Sequence, residues 1–223
     1  HAPLHAHVSE QVAENEACVA HHGLSPIELL AASGVLTNRF SAVHATHLSG
    51  HDIELLAAAA STVVMCPTTE RDLGDGIGPT ARFADAGIKM SLGSDSHAVI
   101  DLFEEARAVE LDERLRSNDR GVHAASALLD MATINGHRCL GWTDSGAITV
   151  GNRADLVTIR LDSVRTAGTT TKGAVETAVF AGTAADVTDV HVDGRHIVAE
   201  GRHSTIDVAA ELDATIRELM DDA

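Results

Sequence analysis

Ile88-Lys-Met-Ser-Leu-Gly-Ser-Asp-Ser-His97 is the stretch whose reading decides the fold. As a β-strand it turns Met90, Leu92 and Ser94 to one face and Ser91, Gly93 and Asp95 to the other. The apolar set can pack against covering helices. The opposite set is small and polar and ends in a carboxylate at the strand's C-terminal edge. A helical stretch, Asp101 to Arg116, follows at once. A strand of this parity feeding a helix suits a (β/α) barrel, where the inward residue at a strand's C-terminal end is a position for chemistry. Asp95 is therefore the first candidate, with a helix or loop cap as its alternative role.

The bulk properties narrow the field. A chain of 223 residues forms one large domain or two small ones. Thirty-three acidic against 16 basic side chains give a net charge of −17, and aromatics are 2% of the chain. Nucleic-acid binding needs a basic footprint and stacking rings, and an anionic membrane surface needs basic clusters, so neither partner is expected. No apolar run approaches the roughly 20 residues that span a bilayer. Cys18, Cys66 and Cys139 are few, odd in number and scattered, which fits a reduced, cytoplasmic compartment. The chain opens at His1 and runs straight into a strand, so it is expected to be a fragment of a longer protein.

From Pro3 to Val8, Leu4, Ala6 and Val8 alternate with His5 and His7. Two histidines in step on the inner face of a strand point to a site more than to a core. Glu10 follows, placed to return over the strand end if a helix begins there. That helix stops at Gly23, and Ser25-Pro26 starts a second with an N-cap and a proline at N1. Ser41 to Ala45 is a strand carrying His44, and Ser49 caps the next helix. Thr62 to Cys66 reads as a strand buried on both faces. Residues 68–80, with three glycines and a proline, read as a long loop where barrels keep substrate contacts. A short helix from Thr80 to Ala86 precedes the opening strand. Residues 122–133 form an amphipathic helix. Beyond about residue 143 the texture changes: Gly146 to Ile159 reads as two short strands around a turn. Asp193-Gly194 marks a hairpin, and a helix striped by Val208, Leu212, Ile216 and Leu219 closes the chain.

Four polar groups sit at or just past C-terminal strand ends: His7, Glu10, His44 and Asp95. Imidazole with carboxylate suits zinc or another divalent first-row metal. Such a metal lowers the pKa of a bound water toward about 7. In this reading Asp95 holds the metal and takes the water's proton, Glu10 shuttles protons and His44 polarises the group under attack.

His7-Val-Ser-Glu10-Gln11, Val43-His-Ala-Thr-His47 and Gly93-Ser-Asp-Ser-His97 resemble the second half of an amidohydrolase-superfamily barrel. Gly146-x-Ile-x-x-Gly-x-x-Ala-Asp-Leu156 and Val190-His-Val-Asp-Gly-Arg195 resemble part of that superfamily's β-sandwich. The His-x-x-Glu pair is similar to its deaminase branch. The fuller strings, with Thr-Glu-Arg-Asp-Leu-Gly-Asp-Gly-Ile77, resemble the formimidoylglutamate deiminases over nearly the whole chain. The resemblance implies an α/β fold. Residues 1–142 would supply strands 5–8 of a (β/α)8 TIM-like barrel, and residues 143–223 part of a small β-sandwich plus a C-terminal helix. It implies one zinc held by His7 and Asp95, with Glu10 and His44 on the formimino group and Asp95 as base. The implied reaction is hydrolysis of N-formimidoyl-L-glutamate to N-formyl-L-glutamate and ammonia, in histidine degradation, by a homodimer when full length.

The family's first strand carries a His-x-His pair that completes the metal site. His5-Ala-His7 has that spelling but sits directly before Glu10, so it is assigned to the fifth strand. The groups that grip the substrate's carboxylates are expected outside this chain. The isolated chain is accordingly expected to be inactive and poorly folded, with two open parallel edges. The alternatives are a deaminase or dechlorinase acting on a heterocyclic amine, and a non-catalytic remnant. A planar base favours aromatic walls, which no Tyr, one Trp and four Phe supply poorly. Four dispersed pocket residues speak against a remnant. His47 and His97 are lesser candidates near the pocket mouth. The other histidines are expected on the surface or in structural roles.

Overall fold

The computed structural model describes residues 2–96 and 99–221, so His97 lies outside the described residues. Four parallel strands, β1 (Leu4–Val8), β2 (Phe40–His44), β3 (Thr62–Met65) and β4 (Lys89–Leu92), pair in chain order, with β1 and β4 at the two edges. Each is followed by helix. α1 (Val12–His22) and α2 (Pro26–Ala32) follow β1, and α3 (Gly50–Ala58) follows β2. α4 (Pro67–Leu73) and α5 (Thr80–Asp85) follow β3, and α6 (Leu102–Ser117), α7 (Ala125–Ala132) and α8 (Ile134–Cys139) follow β4. The alternation seen in the sequence has a direct cause. Register pairs Ala42 with Ala6 and Val63, and Val63 with Met90, which puts Ala6, Ala42, Val63 and Met90 on one face. The helices cover that face with Ile27, Leu56, Phe83, Val109 and Leu128, all essentially inaccessible to water. Each such side chain contributes roughly 1.5–3 kcal/mol by leaving water.

Local signals set the helix ends. Ser25 and Ser49 each accept the N–H of the residue three on, Glu28 and Asp52, whose carboxylates return to the serine N–H. Gly23 ends α1 at φ +71°.

Three expectations need correction. Residues 68–80 are not all loop: α4 begins at Pro67, the N1 position that tolerates proline, and buries Thr68, Thr69 and Glu70. The opening strand is shorter than 88–97. It ends at Leu92, and Asp95 lies in a turn at φ +45°. Between Gly146 and Ile159 only β5 (Leu156–Ile159) forms, where two strands were expected. Residues 166–172, which hold four threonines, lead into α9 (Ala174–Ala181), which packs on α6 and α7.

The second sheet is antiparallel, in the order β5, β6 (Val187–Val192), β7 (Arg195–Ala199), β8 (Arg202–His203). Asp193 and Gly194 turn the β6–β7 hairpin with φ of +50° and +76°, the twist-matched two-residue turn. Among the described residues beyond 142 this is one four-stranded sheet and not a pair of facing sheets. α10 (Val208–Asp221) follows as expected, with Val208, Leu212, Ile216 and Leu219 exposed.

α6 buries Glu105, Glu110 and Glu113 completely, which carboxylates tolerate only when they are paired. Glu105 accepts the Thr68 N–H, Glu113 the Ala81 N–H, and Glu110 the N–H groups of Gly121 and His123. The three carboxylates thus tie α6 to the starts of α4 and α5 and to the approach to α7. For Glu110, burial pushes the carboxyl up, but the His123 N–H, the Arg114 guanidinium and the Gly121 N–H outweigh it and hold it below 4.5. Its contribution is therefore full above pH 4.5 and lost as pH falls through the depressed folded value. Glu110→Ala should cost about 2–3 kcal/mol at neutral pH, the value of charge-assisted hydrogen bonds with their donors left unpaired. Denaturant unfolding of the two proteins should show the gap narrowing in acid. A gap independent of pH would contradict the ionised role.

Candidate active site

The C-terminal ends of β1, β2 and β4 bring together the four residues singled out in the sequence. His7 is the penultimate residue of β1, and its Nε2 lies 3.8 Å from Asp95 Oδ1. His44 ends β2 and is 1% exposed, with Nε2 3.6 Å from Glu10 Oε1 and 3.7 Å from Asp95 Oδ2. The two imidazole rings are 5.3 Å apart. His5, in step with His7, takes no part. It is exposed, and its Nε2 lies 3.1 Å from the Cys139 carbonyl.

Backbone geometry explains why these side chains converge. Alternation alone would put His44 on the helix-facing side with Phe40 and Ala42. Instead His44 and Ala45 adopt φ of +67° and +52°, which ends the pleat and leaves the ring beside His7. Non-glycine residues in this left-handed region carry strain that the surrounding structure must hold. Glu10 sits in the turn before α1. The Glu14 carboxylate accepts the N–H groups of Ser9 and Glu10 at 2.8 and 3.0 Å, fixing that turn and leaving the Glu10 side chain for the site.

Two contributors escaped the sequence reading. Glu70, buried on α4, places Oε1 3.3 Å from His44 Nδ1. Asp75, also buried, accepts a hydrogen bond from Gln11 Nε2 at 3.0 Å, and its carboxylate faces Glu10. Both belong to the string Thr69 to Ile77, whose resemblance was visible but whose helical first half was read as loop. His47 is a clamp: its Nε2 donates to the Asp75 carbonyl at 2.7 Å. Gly76 lets that loop pass at φ +113°, a backbone conformation that L side chains rarely adopt.

Burial, reinforced by the Asp75 carboxylate and only partly offset by His44, raises the Glu10 carboxyl above 4.5. Burial pulls His44 down, but the hydrogen bond to Glu70 and the charges of Glu10, Glu70 and Asp95 carry it above 6.5. Burial pushes the Cys66 thiol far up, so the nearby sulfur is an inert packing group. The donor atoms of His7, His44 and Asp95 all lie within 4.8 Å of one another. Two imidazoles and a carboxylate fit zinc or a similar divalent metal. His44 thus lies beside the pair His7 and Asp95 that the sequence singled out as metal ligands. A cleft of about 510 Å³ between α4, α6 and Thr183 lies apart from this cluster. Its arginines, Arg71 and Arg107, both pair with Glu104 at 3.0 Å.

A model of the Amidohydrolase family matches residues 1–197. A formimidoylglutamate deiminase of Pseudomonas aeruginosa is 33% identical over 209 residues, 91% of this chain and 46% of the relative. A 5-methylthioadenosine/S-adenosylhomocysteine deaminase of Desulforudis audaxviator is 34% identical over 226 residues, 98% of this chain and 52% of the relative. The chain thus spans about half the length of these curated relatives. Among solved structures, an adenosine deaminase from Xanthomonas campestris with bound zinc superposes with a TM-score of 0.90 at 30% identity. That match covers 99% of this chain and 50% of the neighbour.

Proposed function

The chain belongs to the amidohydrolase family, and from that premise we propose that it forms part of a zinc-dependent deiminase acting on N-formimidoyl-L-glutamate. The products are N-formyl-L-glutamate and ammonia, in histidine degradation. The observation that carries this reading is the ring of carboxylates on His44: Glu70 at 3.3 Å, Glu10 at 3.6 Å and Asp95 at 3.7 Å. A site so rich in acid suits a small, cationic amidine better than a neutral aromatic amine.

In this reading β1–β4 are strands 5–8 of a (β/α)8 barrel within residues 1–142. Residues 143–223 are then part of a β-sandwich domain with the terminal helix. His7 and Asp95 would hold the metal, with His44 Nε2 left beside them for the reacting group. Zinc, when bound, supplies Lewis acidity that brings a water's pKa toward about 7. Asp95 accepts a proton from the attacking water. Glu10, its carboxyl raised by burial, carries a proton to the departing nitrogen. His44 orients the amidine carbon's substituents toward Glu10. We place the full-length enzyme in the cytoplasm as a homodimer.

The similarly close methylthioadenosine/S-adenosylhomocysteine deaminase supports a second reading, deamination of a purine nucleoside. Ammonia release from the intact zinc-loaded enzyme separates the two. N-formimidoyl-L-glutamate should be turned over at least about a hundredfold more efficiently than 5′-methylthioadenosine, a discrimination typical of sites built around polar groups. The reverse order would replace the first reading with the second.

A further inference from the structure

We propose that Glu70 is a positioning residue. It anchors the Nδ1 proton of His44 and so reserves Nε2 as the one ring nitrogen that meets the reacting group. The inference rests on the role proposed for His44, and its geometry is as follows. Glu70 is buried, and a single oxygen, Oε1, faces two donors: the Cys66 N–H at 3.0 Å and His44 Nδ1 at 3.3 Å. The Glu70 N–H in turn donates to the Cys66 carbonyl at 3.0 Å. Cys66 and Glu70 thus close a two-way lock across the first turn of α4, and the carboxylate cannot swing without breaking it. His44 is equally constrained, being 1% exposed on a left-handed backbone.

The position of an imidazole proton is set by the hydrogen bond its other nitrogen makes. An acceptor fixed on Nδ1 holds the proton there. Nε2 is left toward Glu10 and Asp95, which lie 3.6 and 3.7 Å from it. A purely structural Glu70 would serve as a cap for α4 through Cys66 alone, indifferent to the ring.

Two substitutions separate these roles. In Glu70→Gln the Cys66 N–H compels the amide to present its carbonyl oxygen at the Oε1 position, because an NH2 there would oppose a donor. Glutamine therefore still accepts from His44 Nδ1. Glu70→Leu removes the acceptor. The readout is nitrogen-15 NMR of labelled histidine in the intact, metal-free protein at alkaline pH, with His44 assigned through His44→Gln. The Nδ1 proton should be present in the wild type and in Glu70→Gln, and should move to Nε2 in Glu70→Leu. In the zinc-loaded enzyme kcat should fall about 10–100-fold in Glu70→Leu, the usual cost of losing such an orienting partner, with KM little changed. Glu70→Gln should restore most of it. A proton that stays on Nδ1 in Glu70→Leu, or leaves it in Glu70→Gln, overturns the proposal, as does an undiminished kcat in Glu70→Leu. If the NMR pattern holds while N-formimidoyl-L-glutamate is not hydrolysed, the substrate reading fails and the anchoring role stands.

Discussion

Asp95→Asn should lower ammonia release from the intact enzyme by about 10²–10⁴-fold, the range lost when a positioned acid–base group is removed. The expectation is unusually clean because the backbone should not respond. Asp95 sits at φ +45°, a left-handed position that asparagine occupies as readily as aspartate. The side chain keeps its size and one oxygen. What it loses is the negative charge that faces His7 Nε2 at 3.8 Å and His44 Nε2 at 3.7 Å. Metal content should fall together with turnover, while the thermal midpoint of the metal-free variant should stay near that of the metal-free wild type. Zinc-replete protein with near-normal turnover would remove Asp95 from both of its proposed roles.

Glu10→Gln should be comparably severe, about 10²–10⁴-fold in turnover, but with metal content unchanged. Glu10 is 3.6 Å from His44 and outside the group of donor atoms formed by His7, His44 and Asp95. Its turn is held by Glu14 through backbone N–H groups, so the substitution leaves that turn intact. Burial and the Asp75 carboxylate keep the Glu10 carboxyl protonated to higher pH than an exposed glutamate, as a proton donor to a leaving amine requires. Turnover and metal content measured on both variants separate the two carboxylates. If Glu10→Gln lost its metal along with its activity, the division of labour between them would be wrong.

Several features were legible along the chain because they depend on neighbours in sequence. Ser25-Pro26 and Ser49 announce helix starts through hydroxyls that reach N–H groups one turn away. Asp193-Gly194 announces a hairpin through the φ values its residues tolerate. The period-two pattern of β1 exposed His7, His44 stood out as the histidine that ends β2, and Asp95 was picked out by parity although β4 stops at Leu92. Parity failed at His44, where alternation assigns the wrong face and two left-handed residues undo it.

Other features depended on chain segments far apart. Glu105, Glu110 and Glu113 stand on a charged helix, and only the packing of α4, α5 and the approach to α7 supplies the N–H groups that let them be buried. Glu70 and Asp75 gained meaning only when α4 and its following turn were folded against β2 and the start of α1. By itself the sequence determined the alternation of strand and helix, the caps, and the four polar residues gathered at the strand ends. Those signals are carried by side-chain periodicity and backbone preference within a few residues. Tertiary structure alone decided which face His44 presents, which acids are buried, and which carboxylate holds its ring. Each of those outcomes is a matter of desolvation and hydrogen bonding between segments up to dozens of residues apart, and such pairings leave no periodic trace along the chain.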